Sequence, residues 1–183
     1  MNNKSNSFLS LQSKEWLVKA LQILMKTKKY SEITITELAQ KAGVDRKTFY
    51  RHFQTKEDVL RFYLDGTCQE YINRLNKEPK LTTFSIAKAF FSTCKQHSDF
   101  LILLDQNELL PLLLLAFDEY LPMLHEIFEE KRIDDNPLYY SEYALSFFTG
   151  GFWNISIKWI RRGGHEAPEK MAQIVETLMS YSI

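Results

Sequence analysis

Cysteine is scarce in this chain: Cys68 and Cys94 are the only two in 183 residues, and both stand inside apolar helical patterns. Neither their number nor their spacing supports a disulfide framework or a zinc site, so a reducing, cytoplasmic setting is expected. The four histidines, at positions 52, 97, 125 and 165, lack any paired metal-ligand spacing. His125-Glu126 has no second histidine to complete a zinc-protease motif. A G-x-S-x-G elbow, a phosphate-cradling glycine loop and a Cys/His pairing are also missing. Neither catalysis nor a cofactor is expected. Six Gly and five Pro are few, which suits helices joined by short connections. The longest apolar run, Leu109 to Phe117, has nine residues with Pro111 inside it; a membrane-spanning helix needs about twenty. Met1 to Ser13 is polar and holds no apolar signal-peptide core. A soluble protein with no membrane partner is expected.

What is present is apolar mass and a hidden charge asymmetry. Hydrophobic residues make up 45% and aromatic ones 14%, enough for a sizeable interior. The length fits one good core, or a small domain fused to a larger one. The formal net charge is zero, yet up to Lys80 there are 15 Lys+Arg against 9 Asp+Glu, and beyond it 8 against 14. A basic first part on an acidic body points to a polyanionic partner for the first part alone. Counting by itself leaves a random split of solvated charge equally open.

The hydrophobic period is helical nearly everywhere. Lys14 to Lys28 places Leu17, Ala20, Leu21 and Leu24 on one stripe. Ile33-Thr34-Ile35 reads as an extended connector. Two short helices, Glu37 to Ala42 and Arg46 to His52, are followed by a longer one from Lys56 to about Glu78. Thr55 and Asp58 form a capping box at its start, and Pro79 stops it. The second half predicts helices around Phe84 to Cys94, Asp99 to Asp105 and Glu108 to Lys131. The third of these reads as one helix or a broken pair, with Pro111 in the first turn and Pro122 expected to introduce a kink. A connection at Asp134 to Pro137 leads to a long helix from Leu138 to Arg162. Gly163-Gly164 should cap that helix, and Pro168 opens the last one, Glu169 to about Tyr181. The expected division is residues 1–78 and 79–183.

The informative stretch runs from Thr36 to Lys56, TELAQKAGVDRKTFYRHFQTK. Thr36 is expected to cap the first short helix, with Leu38 and Ala39 facing inward. Ala39 supplies the small residue that a steep helix crossing needs. Gly43 provides the positive φ of a tight turn, Val44 fills the angle, and Asp45 caps the second helix. Phe49 and Phe53, at i and i+4, anchor that helix. Arg46, Lys47, Thr48, Tyr50, Arg51 and His52 are thereby left on its outer side. Small helical hairpins are common and exposed basic residues are usually solvated surface. Here the hairpin, the donor-rich second helix and the lysine opening the next helix coincide, which points to nucleic acid.

At this point the sequence resembles the TetR/AcrR family of transcriptional regulators. The resemblance runs from about Glu15 to Tyr63. It rests on Tyr30 before the loop, Ile35-Thr36-x-Leu38-Ala39, Gly43-Val44, Thr48-Phe49-Tyr50-x-His52-Phe53, and Lys56. Further on, a Gly-Gly-Phe-Trp and then a Gly-Gly-x-x-x-Pro arrangement fit the family's general architecture. The resemblance implies an all-α fold: an N-terminal three-helix bundle with a helix-turn-helix at about 36–53, a connecting helix at about 56–78, and a larger helical ligand-binding and dimerisation domain. It implies a homodimer that binds double-stranded DNA at a palindromic operator, acting as a ligand-released repressor.

Carried over position by position, Thr36, Tyr50, His52 and Lys56 look like phosphate contacts. Arg46, Lys47, Thr48 and Arg51 stand where family members read base edges. Tyr50 is open to a second reading, packing against the first helix, and His52 to a capping or packing role. Leu138 to Arg162 is apolar on more than one face, with Tyr140, Ala144, Phe147, Gly151 and Ile155 on one side and Tyr143, Phe148, Phe152 and Trp159 towards another. A symmetry mate is the natural cover for the second face; a monomeric core is the plainer alternative. The last helix offers Met171, Ile174, Val175, Leu178 and Met179 to the same interface. Family architecture places an apolar or aromatic effector near Phe91, Cys94, Phe117, Phe147 and Trp153, each of which also reads as ordinary core. The alternative function is a TetR-like co-activator or adaptor that binds a protein and does not act through DNA.

Overall fold

A computed structural model of the chain describes residues 2–131 and 142–180. Among the described residues there are ten α-helices and no strand. They are α1 (Asn2–Met25), α2 (Ile35–Ala42), α3 (Arg46–His52), α4 (Lys56–Lys77), α5 (Thr83–Gln96), α6 (Ser98–Gln106), α7 (Leu110–Asp118), α8 (Leu121–Glu130), α9 (Glu142–Arg161) and α10 (Pro168–Ser180). A single 3-10 turn, Tyr30–Glu32, precedes α2. The all-α architecture is as expected. The expected connection at Asp134 to Pro137, the start of the long helix at Leu138, Tyr140 and the end of the last helix at Tyr181 lie outside the described residues.

Compactness divides the chain into two units. The first is Met1–Gly66 with Leu103–Leu109, and the second is Thr67–Ile102 with Leu110–Ile183. The division falls inside α4, before the Pro79 turn that ends that helix.

In the first unit α1, α2 and α3 pack on one another. Leu17, Ala20 and Leu21 of the expected α1 stripe are buried with Met25, Leu38, Ala39 and Phe49, while Leu24 is half-buried. Lys28, just past α1, reaches both carboxylate oxygens of Glu37 at 2.8 and 3.0 Å. Thr55 and Asp58 form the expected capping box at α4, with Asp58 N–H donating to Thr55 Oγ1 and the Asp58 carboxylate accepting from Thr55 N–H. The end of α6 also belongs to this unit. Its Asn107 Oδ1 accepts from the Tyr30 backbone N–H at 2.7 Å.

In the second unit α10 packs chiefly along α5, burying Met171, Ala172 and Val175. Met171 and Val175 are therefore core, not part of an outward interface as expected. Of the two readings for Glu108 to Lys131 the broken pair is found, and at Pro122 the expected kink is a full break. The chain leaves α7 at Asp118 and restarts at Leu121, with Pro122 in the first turn of α8. Proline lacks the N–H that a first turn leaves unbonded anyway, so this position costs nothing there. Gly163 (φ 93°) and Gly164 (φ 58°) end α9 as expected. Gly163 N–H donates to Ile160 O, and Gly164 N–H donates to Trp159 O. No single helix among the described residues is long and apolar enough to cross a membrane.

Candidate nucleic-acid interface

The geometry of the site begins with how α2 and α3 start and stop. Thr34, not Thr36, caps α2. Its Oγ1 accepts from Glu37 N–H at 3.2 Å, and the Glu37 carboxylate accepts from Thr34 N–H at 2.9 Å. The reason is chemical: a capping box needs a side-chain acceptor three residues beyond the cap, most often Glu, and Thr34 has Glu37 where Thr36 has Ala39. Thr36 is left exposed in the first turn of α2. The ammonium of Lys28 holds the Glu37 carboxyl down to about 2.

Gly43 ends α2 in the left-handed region, φ 70°. Its N–H donates to Gln40 O, and the Val44 N–H reaches back to Ala39 O at 3.0 Å, so the last carbonyls of α2 are satisfied within a tight turn. Asp45 then caps α3, its carboxylate accepting from Thr48 N–H at 2.6 Å. That bond, more than any other contact, lowers its pKa below the ordinary carboxylate value.

Two phenylalanines hold α3 in place. Phe49 is 0% exposed and Phe53 is buried. Phe53 meets Phe49 and Phe62 ring to ring. Lys14 of α1 lies over Phe53 and Phe62, 5.8 and 5.2 Å from the ring centroids. With Phe49 turned inward, Arg46, Lys47, Tyr50 and Arg51 are exposed, and Thr48 and His52 are half-buried at the flanks. Arg51 Nη2 donates to Thr48 Oγ1 at 2.7 Å. Arg46 Nη2 donates to Tyr50 Oη at 3.4 Å, its guanidinium 5.8 Å from the Tyr50 ring centroid. The Tyr50 ring packs on its neighbour Phe49 of the same helix, centroids 5.4 Å apart, and half of the residue is exposed. Among the described residues none of Arg46, Lys47 and Arg51 is ion-paired to a carboxylate.

His52 sits with Nδ1 at 3.5 Å from Ser10 Oγ. Burial, then the neighbouring charges of Arg51 and Lys14, push its pKa below the ordinary histidine value. It is neutral at pH 7 and offers a hydrogen bond, not a charge. Lys56 is engaged inside the molecule. Its Nζ donates to the carbonyls of Tyr30, Ser31 and Ile33 at 2.7, 3.3 and 3.0 Å and lies 4.5 Å from the Tyr30 ring centroid. The sequence reading placed this ammonium outward; it missed the three carbonyls because they converge only after the 3-10 turn folds back. Thr34, Lys28 and Asn107 were likewise missed. For Thr34 alone a signal was present, the glutamate three positions on.

The chain matches the family model for bacterial regulatory proteins of the tetR family over residues 17–61. It matches the model for a transcriptional regulator C-terminal region over residues 81–181, more than half its length. The chain belongs to the TetR family.

Among curated relatives, the uncharacterized HTH-type transcriptional regulator YxbF of Bacillus subtilis (strain 168) is 32% identical over 80 residues, 43% of this chain and 21% of that protein. DhaS of Lactococcus lactis subsp. lactis (strain IL1403), an HTH-type transcriptional activator of the dhaKLM operon, is 31% identical over 64 residues, 35% of this chain and 34% of that protein. The chain thus spans about a fifth to a third of the length of these relatives. The structure of the fatty acid degradation regulator FadR from Bacillus halodurans is 18% identical. It superposes with a TM-score of 0.65 over 91% of this chain and 93% of that one, a likeness of fold.

In the larger unit of this TetR-family chain, Phe91 and Cys94 are buried on α5 and Trp153 on α9. Phe91 meets Trp159 at 5.6 Å and Phe152 at 6.2 Å. Half-buried Phe117 meets Tyr71 at 6.0 Å and Phe90 at 6.5 Å. Burial pushes the Cys94 thiol up to about 12. Phe147 does not join this aromatic interior. It is 76% exposed, because α9 turns Phe152, Trp153, Ser156 and Trp159 inward and leaves Tyr143, Phe147 and Gly151 on the far side. Ala144 and Ile155 are half-buried, while Ile174 and Leu178 are exposed on α10.

Proposed function

We propose that this protein is a homodimeric, sequence-specific DNA-binding regulator of transcription. Its α3 lies in the major groove of an inverted-repeat operator, and a small apolar or aromatic effector releases it. The observation that carries the reading is α3 itself: a two-turn helix, anchored by buried Phe49, that presents three cations without carboxylate partners. Phosphate contacts fall to Thr36, Tyr50, neutral His52 and the start of α4. There Lys56 acts through the loop it holds and through the unbonded N–H groups of the helix end. Arg46, Lys47, Thr48 and Arg51 belong to the base-reading surface. Residues 1–78 serve as the DNA-binding head and 79–183 as the regulatory part.

The dimer is supported by α9 and α10, whose Tyr143, Phe147, Ile174 and Leu178 stand exposed. Gly150 and Gly151 add to this. A Cβ placed at either meets nothing within 4 Å, so no close approach among the described residues requires them. A partner helix would use the space, which offsets the helix propensity lost, about 1 kcal/mol per glycine. The effector class follows from the aromatic interior around Phe91 and Phe117. Repression is the family's usual mode, and the relative DhaS, named an activator, makes a reporter assay the arbiter of sign.

The experiment is binding to random and upstream DNA fragments across a salt series, followed by footprinting. Binding should fall steeply with salt, by about 0.9 in log–log slope per phosphate contact. The footprint should be an inverted repeat with half-sites one helical turn or more apart. A flat salt response, or no binding above background, would overturn the DNA reading and favour an adaptor that binds protein.

A further inference from the structure

Within the recognition surface, Thr48 and Arg51 stand in a different relation from the rest. Asp45 accepts from the Thr48 backbone N–H at 2.6 Å, which fixes the first turn of α3. A hydroxyl oxygen keeps lone pairs to offer, and Thr48 Oγ1 accepts from Arg51 Nη2 at 2.7 Å. Arg51 lies nearly opposite buried Phe49 on the helix, one residue past Tyr50, so its end points away from the core.

We infer that Thr48 serves the base-reading surface as a positioning residue: it locks Arg51 in the pose that reads a guanine in each operator half-site. This rests on the proposed DNA-binding function and deepens it. One edge of the guanidinium is held by Thr48, and the remaining N–H groups form the planar fork that matches guanine O6 and N7. An arginine free to rotate loses side-chain entropy on docking; one already held loses less. Arg46 differs: its partner is the Tyr50 phenol at 3.4 Å, a longer contact.

The test is selection of bound fragments from a random DNA pool with the full chain, in four forms: wild type, Arg51→Ala, Thr48→Val and Thr48→Ser. Valine keeps the β-branched shape and the backbone N–H that Asp45 caps, but has no hydroxyl; serine restores it. Wild type should require guanine at one position of each half-site, with a five- to hundredfold loss for other bases there. Arg51→Ala should abolish that one preference. Thr48→Val should weaken it several-fold, and by more than the preference at any other position. Thr48→Ser should recover it. If Arg51→Ala leaves every base preference intact, Arg51 reads no base and the inference fails. It fails equally if Thr48→Val leaves the guanine preference at its wild-type strength, or alters all positions alike. Absence of any salt-sensitive binding by the wild type overturns the DNA-binding function itself, which is a separate result.

Discussion

An ammonium group carries three protons, and Lys56 donates to three carbonyls, those of Tyr30, Ser31 and Ile33. Those carbonyls follow α1 and precede α2, so one side chain from the start of α4 ties the entry of the recognition hairpin in place. Removing the amine while keeping the stem leaves partly buried acceptors without a donor. Lys56→Met should therefore lower unfolding stability by about 1–3 kcal/mol in urea, as well as weakening DNA binding on every sequence alike. An unchanged unfolding midpoint would mean that the three contacts hold nothing. Thr34 and Thr36 teach a related lesson. Two threonines stand two residues apart, and the choice between them was legible in Glu37, the residue that completes a reciprocal cap.

At the scale of elements, α2 depends on a carboxylate. Glu37 closes the capping box with Thr34 and pairs with Lys28 across the gap from α1. Its pKa in the folded chain, about 2, lies below the ordinary 4.5. The stabilisation is thus fully present above about pH 4.5 and is lost as pH falls towards 2. Urea unfolding of wild type and Glu37→Gln should show a stability gap at neutral pH that closes over that window. A gap of constant size down to pH 2 would mean that the charge of Glu37 is not what matters. Most of the elements were legible because each carries its own stop or start signal: Gly43, Asp45, Thr55 with Asp58, Gly163 with Gly164, and Pro168. The break before Pro122 was legible only as one of two alternatives. A proline in an apolar helical pattern reads the same whether it bends a helix or begins one, and only the chain's departure at Asp118 decides. The inward side of α9 was equally hidden, since a helix apolar all round gives no hint of which aromatics turn in. Phe147 was misplaced for that reason.

For the whole molecule, the exposed apolar faces of α9 and α10 call for a cover. Leu178 is 54% exposed and Phe147 is 76% exposed. The wild type should sediment as a dimer and the double variant Phe147→Glu/Leu178→Glu as a folded monomer. Both side chains lie outside the core, so helicity should be retained. A dimer that persists in the variant would place the interface elsewhere. The charge asymmetry between the two parts of the chain was visible from counting alone, whereas the proposed dimer face and effector site depend on which side of a helix faces in. The two cysteines lead to a practical point. Both are buried, and Cys94, with its thiol held near 12, carries almost no reactive thiolate at neutral pH. The native chain is thus a quiet background for maleimide dyes. A single cysteine introduced on the open side of α3 or α9 would take the label ahead of the natural pair, and groove entry or subunit spacing could be followed by fluorescence without first deleting either one.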